Sequence, residues 1–212
     1  VLENHGVEWP ISDNDKLNRF LNAYEEYNNT LPDDEKLLVG LQVNDRNWYE
    51  AIDRRLLGRL DFILADTMIM GKRPDGTDER LWMLPKDYDV DQDEWFERYY
   101  QHCLRVASEP ISILANVTYL PEFIADRYDE LWTVERMKKL IQTAIDNNVA
   151  LEIQAESEFP KSQFIELAIG MGAKFAFGSN NFDAELKNTD VWKKAFEKYH
   201  FKKEQLWRPA KK

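Results

Sequence analysis

The chain has 212 residues, 43% hydrophobic and 32% charged, which suits one domain with a substantial core and argues against extended disorder. A formal charge of −11 would repel a nucleic acid over most of the surface, and the basic end, Arg208 and Lys211–Lys212, is too small to reverse that. No apolar run approaches the roughly 20 residues of a membrane span, so the composition reads as an acidic soluble protein. Its single cysteine, Cys103, can form no internal disulfide and leaves the compartment open.

Short apolar runs alternate with segments of helical period. The chain opens, without Met, on the apolar run Val1–Glu3, followed by Asn4-His5-Gly6. A helix follows, with Leu17, Phe20, Leu21 and Tyr24 on one face and Asp13 or Asp15 as its N-cap. Leu37–Val43 reads as a strand, Trp48 to Leu57 as a helix, and Leu60–Ala65 as the next strand. From Met70 to about Asp91 the rhythm breaks into a long connection whose Asp75-Gly76 pair favours a hairpin turn. It reads equally as a lid over a pocket or as a surface excursion. After Asp91 comes a helix that buries Trp95, Phe96, Tyr99, Cys103 and Leu104, then the strand Ile111–Val117. A helix starting at Thr133 presents Val134, Met137, Leu140, Ile141, Ala144 and Ile145 on one face. The strand Val149–Ile153, a helix capped by Ser162 and the strand Lys174–Phe177 complete the pattern.

Alternating strands and helices, with nearly continuous apolar strands, imply a single α/β domain over residues 1–212 built on a parallel sheet. Periodicity leaves open whether that sheet is doubly wound or a barrel. The absence of Gly-x-Gly-x-x-Gly after any strand counts against dinucleotide binding.

Ligands of parallel α/β folds meet the carboxyl ends of the strands. Here those ends carry Asn4 and His5, Gln42 and Asn44, Asp66 and Thr67, Asn116, Gln154, and Ser179-Asn180-Asn181. Each has an alternative as a helix cap or turn residue, but their recurrence at successive strand ends points to a shared pocket. Glu152, a carboxylate inside an apolar strand, is costly unless paired. Either Lys174 or an arginine neutralises it, or it is an acid/base group of raised pKa. Asp87, Asp89, Asp91 and Asp93 lack the glycine of a calcium loop and read as helix-start acids. His102 and His200 read as structural or surface residues, and Ser179 lacks the setting of a serine nucleophile.

Several of these segments resemble the PHP (polymerase and histidinol phosphatase) superfamily. Asn4-His5-Gly6 is similar to its Thr-Asp-His segment, Val39-Gly40-Leu41-Gln42-Val43-Asn44 to its Gly-x-Glu-x strand, and Leu60 to Met68 to a strand that ends near a histidine ligand. Ile113 to Leu120 resembles the strand that runs into His-Pro. Ala150-Leu151-Glu152-Ile153-Gln154 looks like Leu-Glu-Ile-Asn, and Gly178-Ser179-Asn180-Asn181 like Gly-Ser-Asp-x-His. The resemblance implies a distorted (β/α)7-type TIM-like barrel with about six strand–helix units in this chain, the first strand lying ahead of Val1. It also implies divalent metals, Zn, Mn or Mg, serving phosphoester hydrolysis.

Carried over position by position, the family's ligands fall on amides and apolar residues. The aspartate becomes Asn4, the glutamate Gln42, one histidine Met68 or a shift to Asp66, another Asn116, and the last pair Asn180 and Phe182; only His5 is kept. Such a site would hold a divalent metal only with ligands from upstream of Val1 joining His5. The resemblance therefore implies a phosphoesterase homologue with a degenerate metal site, little or no phosphoesterase activity and no metal cofactor. The alternatives are a metal-free binder of a neutral polar ligand such as a sugar, with Trp48 or Trp82 to stack on it, and a protein-interaction module using the acidic surface. Substrate, compartment and oligomeric state are not written in the sequence.

Overall fold

The structure is a computed structural model and describes residues 13–44, 48–73, 76–154, 159–180 and 189–209. The expected first strand, Val1–Glu3, lies outside the described residues. No helix among those described is long and apolar enough to cross a membrane.

Helix α1 (Asn14–Thr30) starts where the Asp13 side chain accepts the Lys16 N–H, and it buries Leu17 and Leu21. These two pack on Val39, Leu56 and Leu60 as a small satellite core. The expected helix from Trp48 to Leu57 is two short ones, α2 (Trp48–Ala51) and α3 (Arg54–Leu57), because the Asp53 side chain caps the second turn afresh. Helix α4 (Gln92–Ala107) is capped by Asp91, which accepts the Asp93 and Glu94 N–H groups. Of the four alternating acids, Asp91 and Asp93 are thus helix-start acids as the sequence suggests, whereas Asp87 and Asp89 lie in the turn region ahead of the cap. Helices α5 (Tyr128–Leu131), α6 (Val134–Asp146), α7 (Ser162–Met171) and α8 (Thr189–Tyr199) follow. At α7 the cap position falls on Lys161, not Ser162. The Ser162 Oγ instead takes hydrogen bonds from Lys198 Nζ at 2.7 Å and Tyr199 Oη at 2.9 Å.

Seven strands are described: β1 (Gly40–Val43), β2 (Phe62–Asp66), β3 (Ile69–Lys72), β4 (Asp78–Arg80), β5 (Ile113–Ala115), β6 (Ala150–Gln154) and β7 (Phe175–Gly178). Five form one sheet in the order β1-β2-β5-β6-β7, and every neighbouring pair in it is parallel. The α/β class and parallel sheet expected from the sequence are therefore present. β3 and β4 pair antiparallel as a separate hairpin, so the long connection after Met70 has ordered structure of its own.

Register sorts the residues of the sheet into two faces. Val43, Ala65, Leu114, Leu151 and Phe175 are successive partners across all five strands, and all belong to the main hydrophobic core with residues of α4, α6 and α7. Alternation puts Gly40, Gln42, Phe62, Leu64, Asp66, Glu152, Gln154 and Gly178 on the opposite face.

That second face is concave. Beyond β7 the chain returns beside it, with Leu206 bridged to Phe175 and the Trp207 N–H donating to the Phe175 carbonyl at 2.8 Å. Yet the Trp207 ring meets Phe62 of β2 edge-on, centroids 5.7 Å apart. In a flat sheet four strand spacings of about 4.8 Å would hold those backbones roughly 19 Å apart, so the sheet must curl toward this face. Phe62 also lies over Gly40, where any Cβ would run into its ring. The aromatic pair fills the amino end of the concavity and leaves the polar residues at its carboxyl end.

Candidate functional site at the carboxyl ends of the sheet

Gln42, Asp66, Asn116 and Gln154, singled out from the sequence, come together with Glu152 at the carboxyl ends of β1, β2, β5 and β6. Gln42 Nε2 donates to Asp66 Oδ2 at 2.9 Å, and the Met68 backbone N–H donates to Asp66 Oδ1 at 2.9 Å. On the other side of β5, the Asn116 backbone N–H donates to Glu152 Oε2 at 3.3 Å, and Gln154 Nε2 donates to Asn116 Oδ1 at 3.4 Å. Asp66, Glu152 and Gln154 are buried, whereas Gln42 is exposed and Asn116 half-buried.

Backbone conformation changes abruptly at these strand ends. Asn116 (φ 52°), Thr118 (φ 61°) and Asn180 (φ 52°) are all left-handed. Asparagine tolerates this region, but a β-branched threonine does so at a cost. Thr118 is held there fully buried, its Oγ1 accepting a 2.8 Å hydrogen bond from Tyr128 Oη. Exposed Asn180 turns the chain away two residues after Gly178.

Glu152 is the unusual member. Burial pushes its carboxyl up from the ordinary 4.5 to about 7; the Asn116 N–H opposes this and the nearby charge of Asp66 adds to it. Lys174 does not neutralise it, because Lys174 Nζ bonds Asn148 Oδ1 at 2.9 Å. No arginine pairs with it either among the described residues, so burial keeps the carboxyl high. Its room comes from Gly178, where a Cβ would stand 2.8 Å from Glu152 Cδ and closer still to Oε1. The sequence shows this glycine only as the start of Gly178-Ser179-Asn180-Asn181; nothing local says that a carboxyl of the neighbouring strand takes up its side-chain space.

Other expected residues lie elsewhere. Asn4, His5 and Asn181, the last beside Asn180, are outside the described residues. Trp48 is a core residue whose Nε1 donates to Glu109 Oε2 at 3.0 Å, so it does not stand free to stack on a ligand. Cys103 is a packed thiol pushed up to about 12 by burial. His102 is buried on α4, with Nδ1 3.2 Å from Arg105.

The hairpin of β3 and β4 begins directly after Asp66-Thr67-Met68 and stands beside the cluster. Buried Glu79 fixes it to α4, accepting from Trp95 Nε1 at 3.0 Å and from Arg98 at 2.9 and 3.2 Å. A hairpin tied to α4 through buried Glu79 is anchored, which counts against a freely hinged lid.

Among the described residues, no group of three or more His, Cys, Asp and Glu side chains is placed to hold a metal ion. The described strand-end residues contribute two carboxyls, Asp66 and Glu152, and a set of amides. No protein-family model and no curated protein matches the chain.

Proposed function

We propose that this chain is a divergent PHP-type domain, a distorted barrel whose strand-end site has been rebuilt from metal binding to recognition of a small polar ligand of the sugar kind, with little or no phosphoesterase activity. The observation that carries this reading is the strand-end network, in which Gln42 bonds Asp66 while Gln154 and Glu152 both bond Asn116. Amides offer donors and acceptors together, the complement of a hydroxyl. They replace, in the order of the family's segments, the anionic and imidazole groups that would attract a divalent cation. The curl of the sheet supports the barrel, since a concave face with aromatic filling at one end is how a barrel interior is built.

The test is metal analysis of the purified protein, a phosphoester screen with added manganese or zinc, and titration with neutral sugars and polyols. Binding of a hydroxylated ligand that weakens about ten-fold on Asn116→Ala or Gln154→Ala is the expected result. Stoichiometric metal with phosphoester turnover that is lost on His5→Ala would overturn it.

A further inference from the structure

Four acidic side chains are buried among the described residues: Asp66, Glu79, Glu109 and Glu152. Three of them accept a hydrogen bond from a side chain: Asp66 from Gln42, Glu79 from Trp95 and Arg98, and Glu109 from Trp48. Glu152 accepts only the long bond from the Asn116 N–H and forms no ion pair among the described residues. Its Oε1 lies over Gly178, in space that a side chain at that position would take. The charged group that bears on it is another acid, Asp66.

A buried carboxyl of this kind calls for a donor, and the described residues supply only the Asn116 N–H. From this geometry we infer that the ligand of the strand-end site carries a protonated amine, bound by the Glu152 carboxylate while the amides and Asp66 take its hydroxyls. The inference rests on the ligand-binding reading above and narrows it to a class: a polyhydroxylated or otherwise polar primary amine. Charge-assisted N–H···O bonds are about twice as strong as neutral ones, and more so away from water. An ammonium ion is also the occupant that removes the cost of ionising Glu152 beside Asp66. A carboxyl that titrates near neutrality without its ligand then gives up a proton when the amine arrives.

The experiment uses matched pairs that differ by one ammonium in place of one hydroxyl: glucamine against sorbitol, and glucosamine against glucose. Calorimetric titration near neutral pH, in two buffers of different ionisation enthalpy, reads affinity and proton release together. The amine should bind about ten-fold or more tightly than its hydroxyl partner. Glu152→Gln should erase that preference and the proton release while sparing the weaker hydroxyl binding. Asp66→Asn is the second variant, and thermal melts confirm that both fold. Hydroxyl ligands binding as tightly as amines, or a preference that survives Glu152→Gln, overturn this inference and leave the pocket reading standing. No binding by either member of both pairs overturns it as well, and metal-dependent phosphoester turnover overturns both readings.

Discussion

The Glu152 carboxyl occupies the space over Gly178 that any other residue's Cβ would fill. The two are neighbours in register, Gln154 being the strand partner of Gly178 and Glu152 that of Ala176. Gly178→Ala should therefore force the Glu152 side chain from its place and destabilise the fold by about 1–3 kcal/mol, despite the entropic advantage of alanine over glycine. In a Glu152→Ala background the same substitution should be neutral or stabilising. Urea melts of the four proteins of this cycle give the coupling, expected to be about 1 kcal/mol or more. Additive effects would mean that Glu152 does not lie over the glycine.

Glu152 also sets a pH dependence of stability. Its carboxyl rises from 4.5 to about 7 on folding, so between those values the folded state binds the extra proton and stability falls as pH rises. The contribution is fully present below the unfolded value and is lost as pH passes through about 7. A shift of this size corresponds to about 3 kcal/mol between pH ~5 and pH ~8. Glu152→Gln keeps the shape and removes the titration. The stability of the wild type relative to this variant should drop by about that amount over the same range. An identical difference at both pH values would show that Glu152 does not titrate in the fold.

The α/β class and the positions of five strands are legible in the sequence because the core-facing row from Val43 to Phe175 is apolar at every strand. The polar strand ends are legible for a related reason: Gln42, Asp66, Asn116 and Gln154 interrupt apolar runs where a parallel sheet ends. What periodicity could not supply is long-range geometry. Nothing local in Phe62 or Trp207 says that they touch, since curl is a property of the whole sheet. Glu152 reads as one half of an ion pair because Lys174 follows nearby in the pattern, but Lys174 turns to Asn148 and leaves the carboxyl to burial. The break between α2 and α3 is not legible because a helical run of apolar spacing hides the new cap at Asp53.

Glu79 makes a prediction of a different kind, about the hairpin beside the site. It is almost wholly buried, whereas Arg98 is half-exposed, with side-chain exposures of 3% and 55%. Removing either partner should therefore be costly: Arg98→Ala leaves the buried Glu79 carboxylate without its counter-charge, and Glu79→Ala strands the Trp95 indole N–H. Each should destabilise the protein by about 3 kcal/mol. Amide hydrogen exchange should locate the damage. Protection should fall first in Ile69–Lys72 and Asp78–Arg80, with the five-stranded sheet keeping its own. Uniform loss of protection would show that the hairpin is not a separable unit.

The contact between Phe62 and Trp207 tests the curl on which the concave face depends. Both rings are half-buried, and Trp207→Ala should cost about 2 kcal/mol, less than a fully buried tryptophan. Much of that cost belongs to whatever surface Trp207 covers, so a single substitution does not report on the sheet. The double-mutant cycle with Phe62→Leu does, because an edge-on aromatic pair contributes about 0.5–1.5 kcal/mol beyond area alone. A coupling in that range requires the segment beside β7 to reach back to β2, which a flat sheet forbids. Independent effects of the two substitutions would flatten the sheet, move the rings apart, and leave Gln42, Asp66 and Glu152 along an open surface with no concavity for a ligand.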